Sequence, residues 1–209
     1  KINEILMNPD GPDGGLEWIE LYNAGDVAVS LEQWTLGGGT SSVSTFVTFE
    51  VGTLLAPGDL LVVGGSEVAD VDIIVSMALG NASSNADIVQ LKDCLGNIAD
   101  TVVYGSPNTD EWVDDSGSVA TSTAPVPLAA LSIARIPDGI DSDDAGLDFV
   151  VLEVPTPGEL NGEKEDSGWT SGVDDADDSS PTDLDDGGSE SEELATPEVD
   201  SGVADTAEL

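Results

Sequence analysis

Residues 17–23, Glu-Trp-Ile-Glu-Leu-Tyr-Asn, constrain this chain more than any other stretch. Read with period two they form a strand. Leu16, Trp18, Glu20 and Tyr22 fall on one face, and Glu17, Ile19, Leu21 and Asn23 on the other. A carboxylate in mid-strand, such as Glu20, requires water or a partner, because an unpaired buried charge costs more than a short strand returns. The fold must leave one face of this strand wet or bring donors to it.

The same alternation recurs along the chain. Strand patterns run over residues 2–7, 46–49, 60–63, 73–75, 88–91, 98–104, 131–136 and 149–152, and a further one leads from Val27 through Leu31 and Trp34 to Leu36, where Gly37, Gly38 and Gly39 are expected to break it. Gly and Pro punctuate them, as in residues 8–15 and at Pro57 and Gly58. No apolar pattern at helical spacing lasts three turns, so the expected class is all-β. Residues 105–127 are long for a connection and read as a functional loop or an ordered excursion over the surface. After residue 161 the composition turns to Ser, Asp, Glu, Thr and Gly. The expected organisation is a sandwich over residues 1–161 and a disordered acidic tail over residues 162–209.

Charge narrows the partners. The 43 acids and 4 bases leave a formal charge of -39, and there is no histidine. Residues 1–161 carry 26 acids against 3 bases, so the tail alone does not explain the imbalance. Such a surface repels phosphate backbones and anionic membranes, and no direct nucleic-acid partner is expected. It suits a cationic partner, divalent ions or a salty habitat, or serves plain solubility. Cys94 is alone, so no disulfide forms within the chain. No apolar run reaches the roughly 20 residues of a spanning helix. The start at Lys1, directly before a strand, reads as a mature or trimmed N-terminus.

Six landmarks then fall in one order. They are Ile2, Asn3, Glu4 and Ile5; residues 17–23; residues 31–36 around Trp34; Leu55, Ala56, Pro57 and Gly58; Arg135, Pro137, Asp138 and Gly139; and Thr156, Pro157 and Gly158 with Asn161. In this order they resemble the lamin tail domain over residues 1–161. The resemblance implies an immunoglobulin-like β-sandwich, of the kind found at the end of nuclear lamins and in secreted or surface proteins of bacteria. There it often stands beside nucleases, phosphatases or adhesive modules. The chain shows no heptad rod, prenylation box or basic cluster, so the bacterial, extracytoplasmic branch is the expected setting. The resemblance implies a non-catalytic interaction or structural module, extracellular or on the cell surface, whose partner is an unknown protein or a cell-surface polymer. The rival reading is a calcium-dependent or carbohydrate-binding accessory domain of a larger extracellular hydrolase or nuclease.

Few residues offer chemistry. Without histidine, and with one cysteine, the usual general base and zinc ligands are missing, so no catalytic residues are nominated. Carboxylate pairs are too abundant to single one out. Calcium is the one cofactor considered: Asp138, Asp141, Asp143, Asp144 and Asp148 crowd a single turn and could supply several oxygens, the alternative being a solvated acidic loop. Asp10 with Asp13, and Asp114 with Asp115, are poorer candidates. Arg135, the only arginine, is expected to clamp Glu20, Glu4 or both; otherwise the two acids face water. Trp18, Trp34 and Phe49 read as core or inter-sheet packing. Trp112 is either a loop contact for sugar or protein or a plug over one end of the sandwich.

Overall fold

Because side chains alternate along the predicted strands, each strand offers one apolar face, and two sheets must bury those faces against each other. The computed structural model describes residues 1–162 and has this form, an immunoglobulin-like β-sandwich. The disorder expected for the acidic tail lies outside the described residues. In chain order the strands are β1 (Ile2–Leu6), β2 (Trp18–Tyr22), β3 (Val29–Ser30), β4 (Thr35–Gly39), β5 (Ser44–Thr48) and β6 (Leu54–Leu55). They continue with β7 (Leu60–Gly64), β8 (Ile73–Ile74), β9 (Asp87–Lys92), β10 (Ile98–Tyr104), β11 (Ser132–Arg135) and β12 (Phe149–Leu152). A single helical turn, α1 (Ala145–Asp148), precedes β12 and is capped by the Asp144 side chain, which accepts from the Gly146 and Leu147 amides.

One sheet has the order β12-β11-β1-β2-β7-β8 and the other β10-β9-β4-β5; β3 and β6 form a short separate ladder. Neighbouring strands are antiparallel except β7 and β8. Ile5, Ile19, Leu21, Val63 and Ile133 of the first sheet pack on Leu36, Val89, Leu91, Val102 and Tyr104 of the second. Burying a side chain of this size stabilises the fold by about 1.5–3 kcal/mol. The register of β1 shifts between Ile2 and Glu4, so Ile2, Ile5 and Met7 share the core although simple alternation separates Ile2 from the other two. The shift leaves Glu4 directly opposite Glu20.

The outer faces are covered too. All three aromatics expected in a core pack in one, Trp34 and Phe49 between the sheets and Trp18 on the far side of β2 with Leu6 and Val62. Period two explains the difference: Trp18 alternates with the core residues Ile19 and Leu21. Residues 105–127 are ordered, tied to β10 by a bridge between Tyr104 and Ala124 and to themselves by one between Val113 and Val119. They carry Trp112 onto a small second cluster of Ala86, Ile88, Val103 and Ala120.

β11 is the second partner of β1, through Glu4 opposite Ala134 and Ile5 opposite Ile133. A fragment of residues 1–128 should therefore lack a cooperative thermal transition in near-ultraviolet circular dichroism, whereas residues 1–162 should melt in one step.

Candidate functional site

The carboxylates of the first two strands meet on the outer face of the six-stranded sheet, beneath the segment that follows β12. Glu4 accepts from the Ser132 hydroxyl at 2.5 Å, the Thr156 hydroxyl at 2.7 Å and the Thr156 amide at 3.1 Å. Glu20 accepts from the Asn3 amide group at 3.1 Å and the Gly158 backbone N–H at 2.8 Å. Asn3 also donates to Asp138 at 2.8 Å and accepts from the Gly139 amide at 3.0 Å. Asn161 donates its backbone N–H to Asp138 and its side chain to the Arg135 carbonyl at 3.1 Å. The Thr156 hydroxyl also lies 3.0 Å from the Asn161 amide oxygen, and its one proton is shared between that oxygen and the nearer Glu4 carboxylate. The segment at residues 156–161 belongs to no strand, and these acceptors satisfy amides that a ladder would otherwise take. Burial pushes the Glu4 carboxyl above its ordinary value and Glu20 up to about 7, against the pull of the Asn3 and Gly158 donors. Glu17 is also pushed up to about 7 by burial; its carboxylate takes the Leu79 amide at 3.1 Å.

Arg135 does not join this network through its guanidinium, which corrects the expected clamp with Glu4 and Glu20. On β11, Ala134 stands opposite Glu4 and shares its outward face, so the next residue, Arg135, points inward with Ile133. There Nε donates to the Ile2 carbonyl at 2.8 Å, and Nη2 to Asp100 of the opposite sheet at 3.0 Å. Nη1 donates to Asp148 at 2.9 Å, to the Ile140 carbonyl at 2.5 Å and to Asp141 at 3.3 Å. The guanidinium stacks on the Phe149 ring, 4.6 Å from its centroid. Arg135 and Asp100 are 1% and 0% exposed, so this is a buried ion pair joining the two sheets. The Ile2 amide donates to the second Asp100 oxygen at 2.5 Å.

Four of the five aspartates nominated for calcium, Asp141, Asp143, Asp144 and Asp148, line one hollow of about 60 Å³ with Asp114 and Asp115. Asp138 stands apart in the Asn3 and Asn161 network. Asp100, Asp115 and Asp141 each bring a carboxylate oxygen within 4.8 Å of the others. Protein cations already serve them: Arg135 bonds Asp100 and Asp141, and Lys1 pairs with Asp141 and, at 3.4 Å, with Asp115. Although burial works against it, Lys1 and Arg135 hold the Asp141 carboxyl below its usual range. The neighbouring Asp115 carboxylate raises that of Asp143. Trp112 is half-buried and donates its indole N–H to the Ala86 carbonyl at 3.1 Å. Its place is against the outer face of β9 and β10, rather than over an open end of the sandwich.

Asp100 is the functional residue that strand reading passed over. Its signal was present: it alternates with Val102 and Tyr104, both in the core, so an inward acid on β10 called for the chain's only arginine.

A family model described as lamin tail domain matches residues 1–106, half of the 209-residue chain. No curated protein and no solved structure matches it. The match ends two residues after β10, while the landmarks at 135–139 and 156–161 close the network around Asn3 and Glu20.

Two outcomes follow from this geometry. Arg135→Met should destabilise residues 1–162 by about 3–5 kcal/mol in urea unfolding, because it leaves Asp100 and Asp148 buried without their cation. Glu17 and Glu20 titrate near 7 in the fold against an ordinary 4.5, so the folded state holds protons that the unfolded chain releases. Their contribution is full below about 4.5 and is lost as pH rises to about 7. The urea midpoint should fall between pH 5 and pH 8, and Glu20→Gln should flatten that fall.

Proposed function

Because the chain belongs to the lamin tail domain family, we propose that it acts as a non-catalytic interaction or structural module, secreted or held at the cell surface in the manner of the bacterial branch. The family is one of β-sandwich interaction domains, which is the ground this reading starts from. The observation that carries it is how the buried acids are used. Glu4, Glu20, Asp100 and Asp148 spend their oxygens on protein donors inside the fold. These acids are committed to holding strands and turns together, so function passes to the surface, where charge is overwhelmingly negative. A partner that meets it by electrostatics carries basic groups, as a cationic protein or cell-surface polymer does.

Calcium dependence is a second reading, favoured by the crowding of Asp143 against Asp115 in the acidic hollow. One experiment addresses both. The immobilised 209-residue chain is exposed to envelope and extracellular fractions of its source, with calcium and with chelator, beside an unrelated acidic sandwich of equal charge. A specific ligand that is retained in both conditions and released by salt supports the first reading, and retention only with calcium supports the second. Equal retention by the control sandwich, or turnover of a polymer substrate by the purified chain, overturns the interaction-module reading.

A further inference from the structure

A second polar hollow lies on the opposite sheet from the Glu20 network. It has a volume of about 180 Å³ and is lined by Thr40, Asn81, Ala82, Ser83, Ser84, Asn85 and Asp87. Its walls are shaped around one carboxylate. Asp87 is 4% exposed, and one of its oxygens takes the Ala82 amide at 2.7 Å. Gly80 passes so close that a Cβ there would stand 2.0 Å from that oxygen and 2.6 Å from the Thr40 methyl, so no other residue fits. Ala82 is held in the left-handed region with φ 43°. The Tyr104 hydroxyl fixes the Gly80 carbonyl from below at 2.8 Å. Asn85 is locked at the rim: its oxygen accepts from the Thr109 amide and hydroxyl, and its amide donates to Asp110.

One atom in this construction is unsatisfied. The Asn81 amide oxygen is buried and has no hydrogen-bond donor, and it is the sole such side-chain atom among the described residues. Leaving a buried acceptor without a partner costs about 1–3 kcal/mol. None of the hydroxyls or amides in the lining donates to it. The lining contains no lysine or arginine and is rich in oxygen: an amide carbonyl, a carboxylate and the hydroxyls of Thr40, Ser83 and Ser84. Asp110 adds negative charge close enough to act on Asp87. An oxygen-lined hollow with net negative charge and no basic side chain is complementary to a hard cation, which binds through oxygen.

We propose that this hollow is a binding site for a hard divalent cation of the calcium type, held by the Asn81 amide oxygen and the Asp87 carboxylate, with the Thr40, Ser83 and Ser84 hydroxyls as further oxygen donors. With a single carboxylate in the lining, affinity falls in the range of extracellular calcium modules, roughly 10⁻⁴–10⁻³ M. This site is separate from the acidic hollow around Asp141 and Asp143, and the test distinguishes them.

The 209-residue chain is titrated with calcium chloride at constant ionic strength, with magnesium chloride as control, by calorimetry and by thermal unfolding. The expected result is a saturable single-site heat and a rise in Tm of about 2–5 °C at tenfold excess over the dissociation constant. Asn81→Ala should weaken calcium binding at least tenfold while melting no lower than the parent without calcium, since it deletes the unsatisfied oxygen. Asn81→Asp should melt lower without calcium and gain more from it than the parent does. Asp143→Asn should leave the calcium response unchanged. The proposal is overturned if the parent shows no calcium-specific response, if Asn81→Ala keeps it in full, or if Asp143→Asn abolishes it.

Discussion

The guanidinium of Arg135 is the interaction on which the rest of the molecule depends. It binds the backbone of β1, a carboxylate of β10 in the opposite sheet, and the turn and short helix that lead into β12, with its flat face on Phe149. A buried charge with five N–H groups tolerates no vacancy, so each of these elements must arrive in one place. Apolar side chains could fill the same space, and in general would give comparable stability. They would not specify which loop lies against which strand. The ion pair thus acts on arrangement more than on net stability, and it does so across the sandwich, where hydrophobic contacts are least directional.

A complementary device operates on the outer face. The segment at residues 156–161 leaves the sheet without a strand to pair with, and its amides still require acceptors. Glu4 and Glu20, opposite each other across β1 and β2, supply them. Burial raises the affinity of both for protons, and neighbouring carboxylates add to it, Asp138 acting on Glu4 and both Glu4 and Asp138 on Glu20. The arrangement therefore combines good hydrogen bonding with an electrostatic penalty that grows toward neutral pH. Asn3 and Asn161 share the load as neutral groups, and they join the first strand to the turn that follows β12.

Both devices draw on the same composition. A chain with 43 acids and 4 bases could disperse all its charge on the surface, yet this one places Glu4, Glu17, Glu20, Asp87, Asp100 and Asp148 inside. Two of its few cations, Lys1 and Arg135, are spent within the fold on Asp100, Asp115, Asp141 and Asp148. The outward surface is consequently more uniformly anionic than the sequence total implies. For a protein that works by contact, this selects partners by charge and makes association sensitive to salt.

The all-β class and most strand positions were legible in the sequence, because a two-residue alternation is a local property that any half-buried sheet imposes. The immunoglobulin-like sandwich came from the resemblance of the ordered landmarks, and β4 runs through Gly37, Gly38 and Gly39, where a break was expected, because pairing with β5 and β9 holds them in the ladder. The need of Glu20 for donors was legible for the same reason. Which donors reach it was not. Asn3 and Gly158 are 17 and 138 residues away in the chain, and their approach depends on a register shift in β1 and on the path after β12. Alternation on β11 already placed Arg135 with Ile133, and alternation on β10 placed Asp100 with Val102, yet their pairing required knowing that β10 and β11 face each other across the core. Likewise the five aspartates at 138–148 share a turn in sequence, and the fold sends Asp138 to one network and the other four to a different hollow. Sequence by itself determined which side chains must be buried and which of those need partners, since burial follows periodicity. The tertiary structure alone decided the partners, since hydrogen bonds and ion pairs act over a few ångströms and only the packing of distant strands brings such groups that close.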